Sequence, residues 1–256
     1  MTDFNYRILD ETAHRTWPIP SGPWIMTQTW HDLLFAHWRV DAALLASKIP
    51  PAFDLDLFDG QAWLGIVPFH MTNVAPRLLP AVPWLSAFPE LNVRTYVRVG
   101  NRPGVYFFSL DASNPLAVVA ARTMFHLPYY TASMTVEQQD GAIRYSSRRA
   151  KKGDAAALVV SYRPVGPVFQ APDGTLDHFL TERYCLFTVD REQRALTVDI
   201  HHPPWPLQAA DATFTLNTIA NPAGIDLPAE APLLHFARRQ DMEAWPLRRV
   251  AARTHS

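Results

Sequence analysis

The sequence predicts an α+β fold dominated by a mostly antiparallel, barrel-like sheet with a few short helices. Twenty-three prolines spread along 256 residues interrupt the chain too often for long helices. Apolar and polar residues alternate at period two in several runs bounded by turn residues, as strands require. Helical spacing is confined to three short stretches. A chain of this length buries roughly 70 to 75% of its unfolded surface, so a sizeable core is available.

Residues 1–23 read as a polar N-terminal arm, ending in Pro18, Pro20, Ser21 and Gly22. Residues 24–256 read as a single domain, because no repeat, linker or low-complexity tract divides them. Aromatic density rises from Trp24 to Trp38. Val40 to Ile49 then predicts a short helix: Asp41 caps it, Leu44 and Leu45 face inward, and Pro50-Pro51 stops it. Asp59-Gly60 is a turn into a strand from Gln61 to Met71.

Leu91 to Val99 is the most informative strand. Its period-two geometry places Val93, Thr95, Val97 and Val99 on one face and Asn92, Arg94, Tyr96 and Arg98 on the other, with Glu90 beginning the polar row. Gly104 to Leu110 is the next strand. Asn114-Pro115 then supplies a cap and an N1 proline for a helix with Leu116, Val119, Ala120 and Thr123 at helical spacing, ending before Pro128. Asp140-Gly141 joins a hairpin of Ser133–Gln138 and Ala142–Arg148. A strand over Ala156–Arg163, a helix over Asp173–Tyr184 and a hairpin of Tyr184–Val189 with Ala195–His201 complete the pattern.

Composition removes several function classes. With a net charge of −1 there is no global field to attract nucleic acid or an anionic membrane, and the Arg149, Lys151, Lys152 run reads as a solvated turn. No signal-peptide core or membrane-length apolar run occurs, so a cytoplasmic protein without a membrane partner is expected. A homo-oligomer is compatible with the sequence, which does not fix the oligomeric state. Cys185 stands alone and predicts a buried small hydrophobe rather than a disulfide or a metal site.

No G-x-S-x-G elbow and no phosphate-cradling glycine loop is present, so a nucleophilic hydrolase and a nucleotide cofactor are both disfavoured; no cofactor is expected. Ten histidines form no H-E-x-x-H motif, and His201-His202 point to opposite faces of a strand. His31 and His37 flank an aromatic segment and could face a cavity, but no metal is expected. The pocket reading rests on Glu90, Asn92, Arg94 and Arg122. Glu90 and Arg94 could pair to stabilise the strand, and Arg122, on an otherwise apolar helix, predicts a buried guanidinium that needs Glu90 or a ligand carboxylate as partner.

The strings WHDLLFAHWRV, FDGQAWLGIVPFHM, FPELNVRTYVRV, PGVYFFSLDA, ARTMFHLPYYTASM and ERYCLF resemble the uncharacterised YqjF-like family, over roughly residues 24–205. That resemblance implies an acetoacetate decarboxylase-like fold enclosing a pocket. ARTMFHLPYY is similar to the G-R-E-x-x-G-Y-P-K-K signature of that enzyme, which aligns Arg122 with the signature arginine, Pro128 with its proline, and Tyr129 and Tyr130 with the two lysines. Glu90 resembles an acidic pocket residue at the start of a strand.

A desolvated amine beside a second cation has a depressed pKa and can attack a ketone; a phenol forms no imine. Phe88 to Tyr130 contains no lysine, and Lys48, Lys151 and Lys152 are the only amines in lysine side chains. Imine-forming decarboxylation is therefore not expected. The expectation is a pocket for a small organic acid or carbonyl compound, with Glu90, Tyr129 and Tyr130 as candidate catalytic groups and Asn92, Arg94, Tyr96, Arg122 and His126 as ligand-binding groups. Non-covalent acid/base chemistry near a carbonyl is the enzymatic form of this reading, with Glu90 as base, Arg94 or Arg122 as carboxylate clamp and Tyr129 or Tyr130 as hydrogen-bond donor. A non-catalytic binding or scaffold protein is the alternative, and a third is a protein-interaction role for Trp84, Trp205 or Trp245.

Overall fold

The computed structural model describes residues 4–81, 86–149 and 156–250. Lys151, Lys152 and Trp84 lie outside the described residues. Thirteen strands follow in chain order: β1 (Met26–Val40), β2 (Asp54–Leu55), β3 (Ala62–Pro76), β4 (Phe88–Val99), β5 (Arg102–Ala112), β6 (Tyr129–Gln139), β7 (Ala142–Arg149), β8 (Ala157–Phe169), β9 (Cys185–Val189), β10 (Ala195–His201), β11 (Leu207–Asn217), β12 (Leu233–Ala244) and β13 (Arg248–Arg249). Among the described residues three α-helices accompany them, α1 (Ala42–Lys48), α2 (Pro115–Phe125) and α3 (Leu176–Thr181), with short 3-10 turns at Ile8–Asp10 and Asn221–Ala223.

Local chemistry accounts for the helices. Asp41 Oδ1 accepts from the Leu44 amide at 2.7 Å and starts α1, whose Leu45 is buried. Asn114 Oδ1 accepts from the Leu116 and Ala117 amides, with Pro115 at the first helical position of α2. The helix over 173–184 shrinks to α3, capped by Thr175. Asp140 and Gly141 both take positive φ in the β6–β7 turn.

The strands form one sheet, antiparallel except where β5 meets β6 and β9. Parallel neighbours need a crossover, and α2 is the one between β5 and β6. The pairing closes on itself. One ring runs β5-β6-β7-β8-β11-β12-β1-β3-β4 and returns to β5; the β10–β12 and β9–β5 contacts close a second ring through the same β5, β4, β3, β1 and β12. The fork lies on β12, whose residues 235–237 pair with β11 and 243–244 with β10, and on β5, which splits between β6 and β9.

The shared strands are consequently packed on both faces. Leu34, Ala36, Leu64, Ile66, Leu91 and Val93 meet Ile143, Leu158 and Val160 on one side. On the other, Trp63 and Tyr96 pack with Leu180 and Val198, while Phe35, Val67 and Phe69 pack with Val118 and Trp205. Asp32, at φ 48°, is a bulge in β1: the register with β3 shifts between His31 and Ala36. The side chains in these two clusters change parity there, from Trp30 to Leu33 and Phe35.

Several expectations are corrected here. The APLLHFARRQDMEAW segment supplies β12, paired along its length with β1, and Trp205 and Trp245 are buried, so neither offers an exposed interaction surface. The helical face of α2 is inverted: Leu116 and Val119 are each 61% exposed, while Val118 and Phe125 pack inward. Arg149 is not in a solvated turn. Its guanidinium lies over the Tyr130 ring and donates from Nη2 and Nε to Asp111 at 2.7 and 3.2 Å, with both side chains no more than 3% exposed. Arg149→Leu is expected to destabilise the fold by about 3 to 5 kcal/mol because it strands the Asp111 carboxylate. Urea unfolding at pH 7 measures this, and Asp111→Asn in the same chain should recover much of the loss.

Candidate functional site

The polar row of β4 faces the second ring, away from Leu91 and Val93. There Glu90, Asn92 and Tyr96 are buried and Arg94 half-buried. Tyr129, the first residue of β6, donates its hydroxyl proton to Glu90 Oε2 at 2.9 Å, and Tyr145 from β7 donates to the Glu90 carbonyl at 2.7 Å. Glu90 is 4% exposed. Burial pushes its carboxyl up to about 8, against the opposing pull of hydrogen bonds from Tyr129 and Asn92. Near neutrality it is therefore a carboxylic acid, able to donate as well as accept. Burial, reinforced by Glu90, holds Tyr129 well above the ordinary tyrosine range, so it remains a phenol.

Farther along β4, Tyr96 and Arg94 form a second group. The Tyr96 hydroxyl lies 2.6 Å from His37 Nε2 and donates to the Leu180 carbonyl at 2.8 Å; Arg94 Nη2 donates to the same carbonyl at 3.1 Å. A phenol has one proton, so His37 Nε2 must carry hydrogen and donate to Tyr96 Oη, which leaves Nδ1 as a bare acceptor. Burial, then the charges of Arg94 and His235, keep His37 neutral by holding its pKa well below 6.5. The Arg94 guanidinium rests 5.3 Å from the Phe35 ring centroid. Gly65 makes this approach feasible: a Cβ there would sit 3.2 Å from His37 Cδ2 and 3.3 Å from Arg94 Cγ.

Two buried polar atoms in this row, Asn92 Oδ1 and Arg94 Nε, and one on the neighbouring His37 of β1, Nδ1, have no partner among the described residues. Buried polar atoms are ordinarily bonded, and these three are not committed to any described protein group. Glu90 and Arg94 do not pair with each other. Four residues of strand separate their Cα atoms by about 13 Å. The two groups thus lie at separate points along one strand face and do not form a single ion pair.

Other expected members lie elsewhere. Arg122 is exposed on α2; its Nε donates to the Tyr129 carbonyl at 2.5 Å, bracing that strand from outside rather than serving as a buried clamp. Tyr130, the strand neighbour of Tyr129, points away from Glu90 to stack on Arg149 at 3.9 Å. His126 is the exposed left-handed residue ending α2, and its carbonyl accepts from Thr188. Lys48 is exposed at the end of α1, so no described lysine enters the row. The sequence reading left Tyr145, Phe35 and the Leu180 carbonyl out of the site and gave His37 no partner. Gly65, a lone glycine inside a strand, was the available signal of close approach.

The sequence matches the model of the DUF2071 family, described as "Uncharacterized conserved protein", over residues 27–241. The chain belongs to the DUF2071 family. It is 50% identical over 231 residues to "Uncharacterized protein YqjF" of Bacillus subtilis (strain 168), covering 90% of this chain and 95% of that protein. Among solved structures it is similar to acetoacetate decarboxylase from Legionella pneumophila subsp. pneumophila str. Philadelphia 1, with a TM-score of 0.63, 11% identity and 98% of each chain covered. It is also similar to an acetoacetate decarboxylase-like enzyme from Sphingomonas wittichii RW1, at TM-score 0.61 and 13% identity, covering 95% of this chain and 100% of that one. The enduracididine biosynthesis enzyme MppR complexed with pyruvate gives a TM-score of 0.60 at 12% identity, covering 93% of each chain. This DUF2071 member therefore has the acetoacetate decarboxylase-like fold.

The buried Glu90 makes stability pH-dependent with a definite sign. Its carboxyl titrates near 4.5 when unfolded and at about 8 when folded, so the folded protein holds the extra proton between those values and stability falls as pH rises through the window. Glu90→Gln removes the titration. The variant should exceed wild type in stability at pH 8.5, on the order of a few kcal/mol, with the gap closing toward pH 4.5. Denaturant midpoints across that range check it.

Proposed function

We propose that this DUF2071 protein binds a small, partly apolar organic acid in the β4 row, with Arg94 holding a carboxylate and Glu90 with Tyr129 meeting a carbonyl or hydroxyl oxygen. The observation that supports this most directly is the set of unpartnered atoms on Asn92, Arg94 and His37 beside a carboxyl held protonated at neutral pH. Arg94 has no carboxylate partner among the described residues, and a guanidinium half-withdrawn from water favours one strongly. Phe35 and Tyr96 beside it supply the apolar surface.

The enzymatic form of this reading is non-covalent acid/base chemistry next to a carbonyl. Glu90 donates its proton toward the carbonyl oxygen, and Tyr129 steadies the resulting carboxylate through its hydroxyl hydrogen bond. Glu90 serves as a base only once pH rises past about 8. Imine formation does not belong to the proposal, because the groups beside Glu90 are phenols and the one described lysine is on the surface. A non-catalytic binding role is the second reading. It is favoured by the internal bonding of Tyr129 to Glu90 and of Tyr96 to Leu180, which already commits much of the row.

Pyruvate, with which the similarly folded MppR is complexed, is the first probe, followed by longer keto and hydroxy acids in which carboxylate and carbonyl are set farther apart. Calorimetric titration should show saturable binding that Arg94→Met weakens on the order of 10- to 100-fold. Any turnover should decline as pH rises through about 8 and be lost in Glu90→Gln, with no adduct trapped by borohydride. Absence of binding across the series, or indifference to Arg94→Met, overturns the proposal.

A further inference from the structure

The described residues contain a second cationic site at the opposite end of β4. Val99, about 30 Å along the strand from Glu90 by its rise per residue, lines a cleft of about 260 Å³ with Arg102, Phe187, Thr197, Arg248 and Val250. Asp199 is fully buried beneath it and accepts from Nη2 of both Arg102 and Arg248. Two guanidinium groups on one carboxylate leave a surplus positive charge. Arg15 from the N-terminal arm, outside the cleft lining but close enough to Arg102 to repel it, adds to the charge: it bonds the Trp17 and Ile200 carbonyls and His201, with no carboxylate partner among the described residues.

The hydrogen-bond donors are in surplus as well. Arg102 Nε, Arg15 Nη2 and Trp17 Nε1 are buried without an acceptor among the described residues. These residues touch one another: the Trp17 ring lies 4.9 Å from the Arg102 guanidinium and 5.7 Å from that of Arg15. A purely structural ion pair would match its charges, whereas here cations and donors outnumber acceptors. Burial, with the Arg248 charge contributing, lowers the Arg102 pKa, a penalty that a bound anion would relieve. Val99, Phe187 and Val250 give the cleft an apolar wall.

We propose that this cleft binds a small organic anion with an apolar body, its carboxylate held by Arg102 and Arg248 and its hydrocarbon part against Val99, Phe187 and Val250. The site is independent of the β4 row, and its test is arranged accordingly. Benzoate, benzyl alcohol and inorganic phosphate are titrated by calorimetry into wild type and into Arg94→Met, where the interior guanidinium is gone. Arg94→Met protein should bind one equivalent of benzoate, and adding Arg248→Ala should weaken that binding by about tenfold or more. Arg248→Lys, which keeps the charge on an exposed edge strand, should retain most of it. Benzyl alcohol should not bind, and phosphate should bind more weakly than benzoate. No saturable benzoate binding, equal affinity for the alcohol, phosphate binding as tightly as benzoate, or no effect of Arg248→Ala would each overturn the assignment.

Discussion

Because β5, β4, β3, β1 and β12 belong to both closed pairings, most side chains on these strands are packed whichever face they take, Arg39, Arg98 and Arg238 being exposed exceptions. Water cannot serve as the default partner for their polar groups. Each must be bonded within the protein, lose its charge, or wait for a ligand. Glu90 takes the first two routes through Tyr129 and protonation, while Asn92 and Arg94 retain unpartnered atoms. Glu243 on β12 follows the same rule: it is fully buried, neither carboxyl oxygen has a partner among the described residues, and burial pushes it up to about 7.

This constraint also decides which chemistry the interior can host. A carboxyl and a phenol in a dry environment both stay neutral, and a neutral pair exchanges hydrogen bonds without the desolvation penalty of an ion pair. An amine there would have to lose its proton to become a nucleophile; no described lysine is placed to do so. In this acetoacetate decarboxylase-like fold the interior beside β4 thus holds a carboxyl and a phenol at Glu90 and Tyr129, with no described lysine next to them.

Arginines do different work according to depth. Arg149 is enclosed and needs both oxygens of Asp111, whereas Arg122 lies outside and tethers the Tyr129 backbone through one nitrogen. Arg102 and Arg248 share one buried carboxylate at the sheet edge, where Arg15 of the arm joins them. The arm is part of the packed structure: Phe4 and Ile8 are buried, and the Ile8 carbonyl bonds His201.

Period-two alternation, turn residues and caps determined the strands around Asp140-Gly141, the start of α2 at Asn114-Pro115 and the face shared by Glu90, Asn92, Arg94 and Tyr96. These follow from backbone geometry within a few residues, so the sequence alone contains them. It also contained the family resemblance and the absence of lysine between Phe88 and Tyr130. Tertiary structure decided the rest. Whether the β4 row faced water or an interior depended on distant strands closing over it, and the placement of β12 depended on pairing with β1 across two hundred residues. The inward face of α2 was set by the sheet it crosses, which buried Val118 and left Arg122 outside. His37 joined Tyr96 only because the bulge at Asp32 changed the parity of β1, an event local alternation does not encode.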